Sequence, residues 1–208
     1  MTLTDLLEVV YHFYPRSLFV DGLGYEDTAE RCRQREATRR GVAEYPTWKA
    51  MIRRLGARYP LMDRSLSLLS GSYDPGYSGY IVIPGHTLGF HVSLLGPFYG
   101  VHRTGVAGEE SAALDLVRAI ETTYPGHEPI PAELGNEVVP DVALDAKGFG
   151  KATVYFCLLS PEWEWSSRPH NGTRSRDYVE PPDDPGSPDE APDLGPPEER
   201  IHVKDRRG

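Results

Sequence analysis

Phe90-His91-Val92-Ser93-Leu94-Leu95-Gly96-Pro97-Phe98-Tyr99-Gly100-Val101-His102-Arg103-Thr104 is the stretch from which the fold is read. Phe90, Val92 and Leu94 alternate with His91 and Ser93, and a second strand pattern follows Gly96-Pro97. Alternation of period two puts one set of side chains on each face of a strand, and a Gly-Pro pair between two such runs is a turn signal. Centred on Gly96-Pro97, an even-length hairpin pairs residues whose numbers sum to 193. Val92 then faces Val101 and Leu94 faces Tyr99 on one side, with His91 opposite His102 on the other. An odd loop or a bulge would change that register.

Helical patterns surround the hairpin. Thr2 and Asp5 form a capping box ahead of Leu3, Leu6, Leu7, Val10 and Phe13 or Tyr14, and Pro15 closes that helix. A second helix is predicted over about 27–44, with the i,i+4 pairs Asp27–Arg31 and Glu36–Arg40 in the favourable order. A third begins near Pro46, with Trp48, Met51, Ile52 and Leu55 on one side, and leaves at Gly56 and Pro60. Leu66, Leu68 and the run 80–83 read as strands. A helix over about 109–124 carries Ala113, Val117, Ile120 and Tyr124 inward. Strand-like runs around 137–144 and 152–159 end the pattern, followed by Trp163 and Trp165. The fold class is α+β: N-terminal helices and one later helix on one face of a mostly antiparallel sheet, with the His91/His102 face wet.

Composition changes near Ser167. The 41 residues from Arg168 onward hold 8 of the 19 prolines, many acids and no apolar run. The expectation is one domain over 1–167 and a solvated, disordered tail over 168–208 that cannot bury enough apolar surface to offset its ordering entropy. Net charge is +2 over 1–60, −7 over 61–168 and −4 over 169–208, which sums to the total of −9. An acidic surface repels phosphate backbones and attracts basic partners, so direct nucleic-acid binding is disfavoured. Cys32 and Cys157 are far apart, without a Cys/His cluster, and read as reduced thiols. No basic leader precedes the first helix and no apolar run approaches membrane-spanning length, so the expected location is cytoplasmic, without membrane contact.

Catalytic signatures are scarce. His91-Val92-Ser93 and His102-Arg103-Thr104 both read His-x-Ser/Thr, the pattern of two-histidine phosphoesterases, whose histidines act as general acid and base. In that family the motifs lie far apart, whereas here eleven residues separate the histidines. A metal between them would need a third ligand, and none is evident nearby. No nucleophile elbow, P-loop or dinucleotide fingerprint is present, so no cofactor or metal is expected. Contact chemistry is richer. Tyr73, Tyr77 and Tyr80 flank the turn signal Asp74-Pro75-Gly76, and Trp163-Glu164-Trp165 places two indoles at i,i+2 beside Glu162. Aromatic side chains anchor protein interfaces, and carboxylates such as Asp74, Asp141, Glu162 and Glu164 suit a basic partner. The expected partner-binding residues are Tyr73, Asp74, Tyr77, His91, His102, Asp141, Glu162, Trp163, Glu164 and Trp165.

Tyr14-Pro15-Arg16, Tyr25 with Asp27-Thr28-Ala29-Glu30, Trp48 through Leu55, Phe90 through Pro97, and Glu137 to Val142 followed by Cys157-Leu158-Leu159 and Trp163 together carry a resemblance. Over roughly 1–167 the chain resembles the immunity protein 52 family of bacterial polymorphic toxin systems, particularly its myxobacterial versions. The resemblance implies a non-enzymatic antidote that binds and inhibits a cognate toxin, for that family typically a nuclease with a restriction-endonuclease fold. The tail is not part of it. Two other functions stay open on the residues alone: a small phosphoesterase-like enzyme using His91 and His102, and a scaffold that uses the tail as an interaction arm.

Overall fold

The computed structural model describes residues 1–19, 22, 24–65, 74–84, 86–105, 110–144 and 148–160. The 168–208 tail, Tyr73 and the 162–165 segment lie outside the described residues, as do Leu66 and Leu68.

Helix α1 spans Leu3–Phe13 and starts at the predicted capping box, in which Thr2 accepts from the Asp5 amide and Asp5 accepts from the Thr2 amide. Helix α2 runs unbroken over Ala29–Gly56, capped by Thr28, where a break before Pro46 was expected. Proline removes one helical hydrogen bond, but here it faces solvent while Ala37, Gly41, Tyr45, Trp48, Met51, Ile52 and Leu55 form one buried stripe across it. Burial of that stripe outweighs the local break. The basic stretch of α2 is laced by Arg31–Glu26, Arg33–Glu30 and Arg39–Glu36 pairs, different partners from the expected i,i+4 pairs.

Strands β1 (Leu61–Asp63), β2 (Gly76–Ile83), β3 (His86–Ser93), β4 (Phe98–Gly105) and β5 (Glu128–Pro129) form a sheet in chain order. All neighbours are antiparallel except β4 and β5. Helix α3 (Glu110–Thr123) precedes β5; helix α4 (Ala132–Gly135), the β6–β7 pair (Val138–Val139, Ala152–Thr153) and helix α5 (Val154–Leu158) complete the described chain. The α+β class is as expected, with one exception at the end. Val154–Leu158 is helical, begun by Thr153 accepting from the Phe156 amide, because an unbroken apolar run has no period to distinguish a buried strand from a buried helix.

The β3–β4 register sums to 191, not 193: Val92 pairs Tyr99, His91 pairs Gly100 and His102 pairs Gly89. The turn is even but centred on Leu95-Gly96, one residue early. Moving the centre by one residue shifts the sum by two, so every side chain keeps its predicted face. On one face Tyr77, Ile81, Leu88, Phe90, Val92 and Tyr99 meet Trp48 and Met51 of α2 and Leu116 and Ile120 of α3 in a single core. Trp48 stacks on Tyr77 at 5.0 Å and tilts against Phe90 at 5.5 Å. Two polar bonds pin α2 to β1 there: Tyr45 Oη and Trp48 Nε1 donate to the two Asp63 carboxylate oxygens at 2.9 and 3.0 Å. A second core joins Leu6, Val10 and Phe13 of α1 to the α5 segment, where Tyr14 Oη donates to the Cys157 carbonyl at 2.8 Å.

Candidate functional site

The opposite sheet face, expected to be wet, is dry at its centre and open at its margin, where Met62 and Val82 are exposed and Tyr80 and His102 are half-buried. His91 has no exposed surface, and Ser78 and Ser93 are buried with it. Part of the cover comes from distant segments. The Leu159 carbonyl, just past α5, lies 2.8 Å from where a Cβ on Gly76 would stand, and Ser65, just past β1, grips β2 through Ser78. The Ser65 hydroxyl accepts from the Ser78 amide at 2.8 Å and donates to its carbonyl at 3.1 Å. Ser78 Oγ and His91 Nδ1 share a hydrogen bond of 2.8 Å.

The two imidazoles lie stacked, 5.4 Å apart and 13° from parallel, with the Tyr80 ring set edge-on to both. Gly89 makes this possible: a Cβ there would sit 2.1 Å from the His102 ring. Burial, with a smaller contribution from His102, holds His91 well below the ordinary histidine range, and burial pushes His102 down to about 4. Both rings are therefore neutral near pH 7. No group of three or more His, Cys, Asp or Glu suited to a metal occurs among the described residues. The antiparallel register sets Ser93 beside Gly76 and Thr104 beside Thr87, so the ends of the two motifs fall at opposite ends of the strands.

The remaining expected contacts are dispersed. Tyr77 is buried in the other face, its Oη donating to the Gly41 carbonyl at 2.5 Å, because β2 begins at Gly76 and takes it out of the predicted exposed turn. Asp74 is half-buried at the entry to β2. Asp141 is half-buried and accepts from Arg16 Nε at 2.5 Å, with the Ser17 amide on its carbonyl. Tyr73, Glu162, Trp163, Glu164 and Trp165 fall outside the described residues.

An exposed acidic strip was not singled out in advance. Residues 110–141 hold seven acids and one base, Arg118. Glu121 on α3, Glu128 on β5, Glu133 on α4 and Glu137 before β6 are all exposed, and Glu121 also accepts from Tyr99 Oη at 3.0 Å. The signal was present in the local charge count. The place of Glu128 at the sheet edge depended on a parallel pairing that no local pattern announces. Among the described residues no helix is long and apolar enough to cross a membrane. Comparison with family models, curated proteins and solved structures finds no match to this chain.

Proposed function

We propose that the protein is a non-enzymatic antidote that binds a basic protein partner, a nuclease-like toxin domain, through its acidic side. The observation that carries this reading is the exposed strip Glu121, Glu128, Glu133 and Glu137, in a stretch with seven acids and one base. A nuclease presents positive potential to its substrate phosphates, so exposed acids can compete for that surface and repel nucleic acid itself. The full burial of His91 and its hydrogen bond to Ser78 fit a packing role for the histidines in this reading.

The test is co-expression of the full chain with the C-terminal domain of a large toxin-like protein encoded beside it. Growth rescue and a co-purifying complex are expected. Replacing Glu128, Glu133 and Glu137 together by Lys should slow association about ten-fold or more at low salt while leaving folding stability within about 0.5 kcal/mol per site. Absence of both protection and binding by the folded protein overturns the reading. Turnover of a cyclic phosphate abolished by His91→Ala would establish the enzyme instead.

A further inference from the structure

A cleft of about 240 Å³ opens where the middle of α2, the β3–β4 turn and the end of α3 meet; its lining includes Arg40, Glu44, Tyr77, Gly96, Tyr124 and His127. Gly41 lets Leu94 pack onto α2 beside it, since a Cβ there would stand 2.6 Å from the Leu94 side chain. The walls are aromatic. Tyr77, almost wholly buried and with its hydroxyl committed to the Gly41 carbonyl, lies in the lining, with Tyr124 tilted beside it at 6.4 Å.

One polar atom in this lining is unaccounted for. Tyr124 is only 9% exposed, and its Oη is buried with no hydrogen-bond partner among the described residues. A buried hydroxyl left unpaired is costly and uncommon, so Tyr124 Oη is a polar atom of this lining that the described residues leave open to a further partner. Glu44 supplies charge. It is exposed at the rim and forms no ion pair with Arg40 one turn earlier, base before acid being the weaker order on a helix. Its field reaches into the cleft: burial raises the Tyr77 and Tyr124 phenols and Glu44 adds to both shifts. Burial lowers His127, and the Tyr124 backbone followed by Glu44 offsets only part of that, which leaves a neutral ring with an accepting nitrogen.

We propose that this cleft receives a basic side chain of the protein partner, a guanidinium above all, with Glu44 as counter-charge, Tyr124 Oη as acceptor and the Tyr77 ring as a wall. A planar guanidinium donates in several directions and stacks on aromatic faces, which an ammonium does less well. Arg40 opposes the cation, so its removal should tighten binding. The proposal rests on the antidote reading for the identity of the partner, but the chemistry of the cleft can be tested without one.

The experiment titrates the full-length, isotope-labelled protein with Nα-acetyl-arginine amide and follows Gly41, Gly96 and His127 by NMR. Nα-acetyl-citrulline amide, the neutral isostere, and acetate serve as competitors for the same signals. Saturable shifts with the arginine probe are expected. Citrulline binding should be about ten-fold weaker, and Glu44→Gln should cost about as much. Tyr124→Phe should weaken binding several-fold with the amide spectrum otherwise unchanged, while Arg40→Ala strengthens it. No saturable shift, an equal response to citrulline, or preferential binding of acetate overturns the proposal. Cleft failure with toxin protection intact would leave the antidote reading standing; arginine binding without protection would do the reverse.

Discussion

One face of the sheet packs Trp48, Tyr77 and Phe90 ring against ring; the other buries Ser78, His91 and Ser93 and stacks His102 on His91. The centre of each is shielded from water, but by different physics. The aromatic face is held mainly by area and shape, which are non-directional, with the Asp63 carboxylate and the Gly41 carbonyl anchoring its Tyr45, Trp48 and Tyr77. The histidine face is held by a chain of directed bonds from Ser65 through Ser78 to His91, and by keeping two titratable rings uncharged. Such a network specifies one arrangement at the cost of sensitivity to protons.

The comparison is broken most severely at Trp48. Trp48→Ala removes the ring that contacts Tyr77 and Phe90 and the donor to Asp63, and should cost about 3–5 kcal/mol in denaturant unfolding. On the histidine face, Gly89→Ala forces a methyl against the His102 ring and should cost about 1–3 kcal/mol, with the imidazole NMR signals displaced. Changing pH should separate the faces without mutation. The unfolded chain takes up histidine protons below its ordinary value of 6.5, whereas His102 in the fold resists until about 4. Stability is therefore complete above about pH 6.5 and declines as the pH falls toward 4, steepened by His91. His102→Gln should flatten that profile, and an unchanged profile would remove His102 as its cause. The smallest effect is expected away from both faces: Asp141→Asn breaks a pair whose arginine is largely exposed and should cost under about 1 kcal/mol.

What could be read in advance was what is local. The α1 cap was legible because Thr2 and Asp5 complete it within one turn. Face assignment across β3 and β4 survived a misplaced turn because a two-unit shift in register preserves parity. Pro46 misled because a local stop signal was overridden by a buried stripe that exists only once the sheet is in place. The same holds for the candidate site. Glu44, Tyr124 and His127 meet across 83 positions of sequence, and the dryness of the histidine face depends on Ser65 and Leu159, which no period in β3 could reveal.

The borders of the sheet carry one more consequence. Among the described strands, β1 is three residues long and β5 is two, and the second residue of β5 is Pro129, which has no amide hydrogen to donate. Neither border offers a long, flat row of free backbone donors and acceptors, so another chain finds little to zip onto. The sheet is thereby kept from growing edge to edge with further copies of itself.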